Sequence, residues 1–348
     1  MAPPLLPVPP PAYGGTERVI HAIAEGLYRV GHDVTLFASG DSRVSCPLVP
    51  TVERACWSGG SADLDASFER VLDVIRRRVE RFDVVHMHLE TKGLDFARSV
   101  CTPVLTTMHG RLDEPKTVAA LHANPCASLV AISSSQRALA PWANWAGIVR
   151  HGLDLRRMPF GARSGTYLLF VGRIAREKGI REAIELACRT RHHLVIAAKV
   201  FDPTERSLFE RDVRPRLDHD GIDYVGEVAP AVRDPLFAGA KATLMLGDWP
   251  EPFGLVAIES LATGTPVIAR RRGALPEIVV DGIDGFLVDD PGDADAAVAM
   301  ASQLDRRQIR TRALCRFSDA RMVDEYIALY RRFSSGVAPR MTPIEAVP

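Results

Sequence analysis

Two short stretches concentrate residues that could handle a phosphorylated sugar. In Tyr167-Leu-Leu-Phe-Val-Gly172-Arg173-Ile-Ala-Arg176-Glu177-Lys178-Gly179, an apolar run gives way to a basic turn and then a helix. Arg173 and Lys178 are expected to converge at the end of that strand. A diphosphate suits such a place: Arg offers a planar fork of donors, Lys a mobile point charge, and a helix opening near Gly179 adds free backbone N–H groups. A solvated strand-to-helix loop would carry the same residues, so this stretch decides nothing alone.

The second stretch is Glu251-Pro-Phe253-Gly254-Leu255-Val-Ala-Ile-Glu259. Pro252 biases Glu251 to an extended conformation just outside a helix, which leaves the amides of Phe253, Gly254 and Leu255 to point at a ligand. Glu251 is placed to accept hydrogen bonds from sugar hydroxyls. Glu259, more than a turn into an apolar helix, can take both hydroxyls of a ribose. The bland alternatives are an acid favoured near a helix start and a polar residue at the edge of a buried face.

Weaker signals surround these two. Gly14-Gly15 precedes a helix whose first amides can approach a phosphate, although a plain capped turn fits equally. His86 and His88 end one strand and His109 the next, so an imidazole should face a cleft, with His109 the favoured substrate ligand. An HxH pair also invites a metal reading, a hydrolase built on His86, His88 and His109, but no further ligand set accompanies them. Ser133, Ser134 and Ser135 are expected to cap a helix rather than bind.

The elements that must position these residues alternate along the chain. Val-, Ile- and Leu-rich runs at 33–38, 82–88, 103–108, 128–132, 167–172, 193–197, 241–246 and 266–269 read as buried parallel strands. Stretches 16–30, 63–81, 134–142, 179–190, 253–263 and 321–333 read as helices. A Gly- and Pro-containing segment at 151–166 interrupts the pattern. The reading is therefore two units, 1–155 and 156–335, then a flexible tail at 336–348. Two such units in tandem create a cleft at the carboxyl ends of their strands.

Composition narrows the function. The chain has 348 residues with 47% hydrophobic content, enough for two cores. Lys plus Arg and Asp plus Glu number 43 each, so no overall field attracts nucleic acid or an anionic membrane. Six scattered cysteines without a CxxC indicate neither zinc nor a disulfide framework and fit a cytoplasmic location. No apolar run approaches the roughly 18 residues of a membrane span.

With GR-x4-KG, WPEPFGLVAIESLATGTPVIA and GALPEIVVDGIDGFLV on the page, the chain resembles the family-four retaining glycosyltransferases of GT-B architecture. YGGTERV, DVVHMH, TTMHG, AISSSQR and HGLDL extend the similarity through the N-terminal half, toward the branch with avilamycin-type sugar transferases. The resemblance implies an α/β fold with two Rossmann-like doubly wound domains facing a cleft and a C-terminal helix crossing back to the first. It implies an N-terminal acceptor side and a C-terminal donor-binding side. Arg173 and Lys178 would bind the donor diphosphate, Glu251 the sugar, Glu259 the ribose, and Phe253, Gly254 and Leu255 would add backbone contacts. It also puts Gly15 against the phosphates, His109 beside the transferred sugar, and Gly226 to Val228 against the base.

The expected chemistry is transfer of a hexose-type sugar from a nucleotide-diphosphate donor, with retention, to a small-molecule, glycan or lipid acceptor. Arg173, Lys178, His109 and Glu251 form the catalytic set, with no cofactor and no metal. Acceptor choice is assigned to the loops 46–62 and 110–122, which match the family least. A nucleotide-sugar-binding protein without turnover is the alternative from another class. One departure matters: family members begin with a buried strand, whereas this chain opens inside the proline-rich loop, at Met1-Ala-Pro-Pro-Leu-Leu-Pro. Lacking a central strand, its neighbours would strand polar groups at about 1–3 kcal/mol each. The expectation is a true start upstream, with Met1 a misassigned or alternative initiation site.

Overall fold

A computed structural model describes residues 1–56, 61–217 and 221–334. The tail expected at 336–348 lies outside the described residues. In the C-terminal half, six strands form one parallel sheet: β7 (Tyr167–Arg173), β8 (His193–Lys199), β9 (Ile222–Tyr224), β10 (Ala240–Met245), β11 (Val267–Arg270) and β12 (Gly285–Val288). Their order is β12-β11-β10-β7-β8-β9. The chain steps outward from β7 through β8 to β9, then returns to the other side of β7. The carboxyl end of β7 therefore sits where neighbouring connections diverge, the usual position of a ligand crevice.

The N-terminal half holds β1 (Leu36–Ser39) paired with β2 (Leu48–Val52), and a second parallel set of β3 (Val85–Met87), β4 (Val104–Thr107), β5 (Ser128–Ala131) and β6 (Trp145–Ile148). Met1 and Ala2 lie between the two sets. The Ala2 amide donates to Phe37 O at 2.8 Å and the Met1 amino group to His86 O at 2.7 Å. Both residues are buried, and burial lowers the Met1 amine to about 5.

Several elements depart from the sequence pattern. The helix expected over 134–142 ends at Ala138, because Pro141 has no N–H and disfavours helical backbone at Ala140. The short strands β2, broken by Pro50, β6, broken by Gly147, and β9, three residues long, do not stand out from loops. The regions read as loops at 46–62 and 110–122 contain β2 and a helix, Pro115–Ala123.

The halves are joined by more than a linker. The terminal helix Asp319–Ser334 returns to pack on the helix Gly15–Arg29, closely enough that a Cβ on Gly26 would lie 2.4 Å from Val323 Cγ2. One apolar cluster runs from Val19 and Ile23 through Leu105 and Val130 to Ile258 and Tyr326. Both chain crossings meet at one seam, where Leu153 donates to Phe317 O at 3.1 Å and Asp319 to Leu153 O at 3.0 Å. Gly152 is required there, since a Cβ would sit 2.2 Å from Ser318 O.

Candidate functional site

A cleft of about 330 Å³ opens between the halves at the end of β7. Of the residues singled out from sequence, Gly15, His109, Arg173, Lys178, Val228, Glu251, Phe253, Gly254, Leu255 and Glu259 all line it. Gly226 does not. It adopts a left-handed φ of 74° beside this wall, which Glu227 and Val228 supply instead.

Backbone packing places the charged residues. Gly179 has φ 79°, and a Cβ there would lie 2.3 Å from Gly247 N, so only glycine lets the loop bearing Lys178 press against the end of β10. That contact brings Lys178 Nζ onto the Glu251 carboxylate. Gly273, at φ 56°, similarly admits the backbone of Glu251, whose carbonyl accepts from the Ala274 amide at 2.8 Å. Arg173, the last residue of β7, donates to the buried Glu205 at 2.5 Å and to Glu177 at 3.1 Å. Its register partner on β8 is Lys199, which faces Glu227 at 3.6 Å and the Tyr13 ring. The helix Leu255–Ala262 opens at this wall from Gly254, and Gly15 approaches Leu255 from the opposite half.

Two sequence expectations change in detail. Glu259 lines the cleft as expected, but it is already paired, both of its guanidinium partners meeting Oε1. It is 1% exposed and held by Arg18, from the helix Gly15–Arg29, and by Arg233 at 2.7 Å. Burial alone would raise its carboxyl, but the two guanidinium groups outweigh that and hold it below the usual range. Arg18 and Arg233 are the residues sequence reasoning missed. Arg18 sits one helical turn after the glycines, on their face. Arg233 is a charge inside a largely apolar helix, Pro230–Gly239.

His109 is the second change. Its Nε2 meets His88 Nδ1 at 2.9 Å and its Nδ1 meets His151 Nε2 at 3.3 Å, so both ring nitrogens are occupied and the ring face lines the cleft. Burial lowers His109 to about 3, which keeps its imidazole uncharged near neutrality. His151 was missed as a lining residue, and among the described residues its Nδ1 is buried without a hydrogen-bond partner. His86 bonds Tyr330 Oη and Thr107 Oγ1, each at 2.7 Å, so the three histidines of the metal reading address hydroxyls and one another rather than a common point. Ser133 caps its helix through the Gln136 amide at 2.9 Å, as expected, and its hydroxyl also reaches across to Pro252 O at 2.7 Å.

Cations from the strand ends, a helix opening beside them and a glycine turn from the facing half meet in one cleft, a chemistry suited to an anionic ligand. Residues 13–153 match Glycosyltransferase Family 4, and residues 161–314 match Glycosyl transferases group 1. The chain is a GT-B glycosyltransferase. The enzyme is 26% identical to a glycogen synthase of Mycobacterium tuberculosis over 85% of this chain and 84% of that one. Its fold is shared with AviGT4, a glycosyltransferase involved in avilamycin A biosynthesis (TM-score 0.72, 23% identity, 95% of this chain and 94% of that one). It is likewise shared with Anabaena HepE, whose structure holds UDP-glucose (TM-score 0.72, 15% identity, 93% and 97%). Among its described residues, no helix is long and apolar enough to cross a membrane.

Proposed function

We propose that this enzyme transfers a hexose from a nucleoside-diphosphate sugar with retention of configuration and without a divalent metal. The observation that carries this reading is the placement of Arg173 and Lys178 beside the opening of the helix Leu255–Ala262. These groups can stabilise charge developing on the departing diphosphate, the electrostatic contribution a metal would otherwise make. Glu251 then takes sugar hydroxyls once the donor draws Lys178 away, and Glu259 takes the ribose in place of Arg18. With no carboxylate assigned as a nucleophile behind the sugar, substitution occurs on the front face, and the departing phosphate accepts the acceptor proton.

The test is to incubate the purified protein with UDP-glucose, GDP-mannose or ADP-glucose, a panel of acceptors and a chelator, and to read product anomeric configuration by NMR. Retained configuration at undiminished rate is expected. An inverted product or a rate abolished by the chelator overturns the mechanism. The ion pairs on Lys178, Glu251 and Glu259 favour one second reading, a nucleotide-sugar-binding protein. Tight donor binding with neither transfer nor donor hydrolysis would establish it.

A further inference from the structure

A second cavity, of about 230 Å³, adjoins the donor cleft and shares Glu251 and Pro252 with it. Arg111 of the N-terminal half and Arg271 and Arg272 of the C-terminal half line it, with Ser135 and Gln136. Their acidic partners Asp113, Asp248, Asp281 and Asp289 do not. The inner wall is thus cationic, and the compensating carboxylates lie outside it. Glu251 is the sole acid of the lining, and Lys178 holds it.

The arginines are placed for a ligand beside the transferred sugar. The Arg111 guanidinium stacks on the Trp249 ring at 4.8 Å, and Lys178 Nζ lies 5.7 Å from the centre of the same ring. One indole, which lines the donor cleft, therefore contacts a cation from each cavity. Arg272 meets Asp248 through Nε at 3.1 Å, and among the described residues its two terminal nitrogens make no hydrogen bond. A fork of unused donors matches the planar edge of a phosphate or carboxylate.

We propose that this cavity is the acceptor site and that it selects an acceptor carrying an oxyanion, a phosphate monoester or a carboxylate, near the hydroxyl that is glycosylated. This rests on the donor reading for the neighbouring cleft. An anion held by Arg271 and Arg272 orients the acceptor from the side remote from the leaving diphosphate. Arg111, from the other half, engages it only when the halves are closed.

Isothermal titration tests this with UDP, GDP or ADP saturating the donor cleft, so that added anions cannot occupy it. Glucose 6-phosphate, glucuronate and glucose are titrated into wild type and into the Arg271→Ala/Arg272→Ala variant, whose altered side chains are about half exposed. Glucose 6-phosphate or glucuronate should bind at least tenfold tighter than glucose, and the variant should lose that preference while keeping its melting temperature. The tighter of the two identifies the anion. Equal binding of all three, or a preference that survives both substitutions, overturns the proposal. If no nucleotide binds but the preference persists and depends on Arg271 and Arg272, the donor reading fails and the anion site stands.

Discussion

Arg18 and Glu259, 241 positions apart, form a partly buried ion pair across the cleft, completed by Arg233 on the Glu259 side. The carboxylate suited to a ribose is thereby the same group that ties the two halves together. Under the proposed function, a ribose on Glu259 would compete with Arg18 for the same carboxylate, which would link donor binding to this ion pair.

Glu259→Gln should therefore act on stability and binding together. It removes the anion shared by two guanidinium groups, at a cost of about 3 kcal/mol, the low end for a broken buried pair because Arg18 keeps some solvent. Nucleoside-diphosphate affinity should also fall about tenfold or more, the value of a lost hydrogen bond to a charge. Chemical denaturation and calorimetry read the two effects. Arg18→Ala should destabilise less, since Arg233 still compensates Glu259. The reverse order would contradict a shared counter-charge.

Arg173→Ala should reduce kcat by roughly a hundredfold or more, as loss of a preorganised donor to developing charge does. Donor binding should weaken less than turnover. Steady-state and single-turnover kinetics separate the two, and near-normal turnover would remove Arg173 from the mechanism.

Glu90 and His109 pull the pH dependence of stability in opposite directions. Burial pushes the Glu90 carboxyl up to about 7, although it accepts the His109 and Gly110 amides. An acid raised above its unfolded value of about 4.3 gives stability that is complete below that pH and lost as pH rises through 7. Glu90→Gln should flatten this decline, which Glu17, also raised to about 7, leaves in part. His109, lowered to about 3 from an unfolded value near 6.5, gives stability that is lost as pH falls from 6.5 toward 3. His109→Gln should flatten that acid limb in part, because burial also lowers His86, His88 and His151. Denaturation midpoints from pH 4 to 8 test both, and parallel curves for wild type and variants would refute the assignment.

Gly26→Ala tests the return of the terminal helix. Alanine favours a helix by about 1 kcal/mol, yet its methyl would collide with Val323, and overpacking typically costs about 1–3 kcal/mol. The melting temperature should fall in the single variant and recover when Val323→Ala is added. A rise in the single variant would mean the two helices do not pack this way.

The legible parts of this protein were those set by local sequence. The strand, turn and helix around Arg173 and Lys178 follow from an apolar run, a left-handed glycine and a periodic helix, and Pro252 fixes how Glu251 leaves its loop. The Arg18–Glu259–Arg233 group was not legible, because residues 18 and 259 meet only when a helix of one half docks on a helix of the other. The His88–His109–His151 chain was only half visible. His88 and His109 end strands that read plainly, whereas His151 follows β6, whose Trp145-Ala-Gly-Ile sequence has no strong strand pattern. The order of the six-stranded sheet likewise depends on which helices cover which face, and no window of sequence contains that.

The seam at Gly152, Leu153 and Ser318 has a mechanical consequence. Two chain crossings that bond to each other at one point fasten the halves there, and His151, next to that point in the chain, lines the cleft. Any hinge motion about this fastening would displace the cleft wall in proportion to distance from it, so the lining residues nearest the seam would keep their arrangement best.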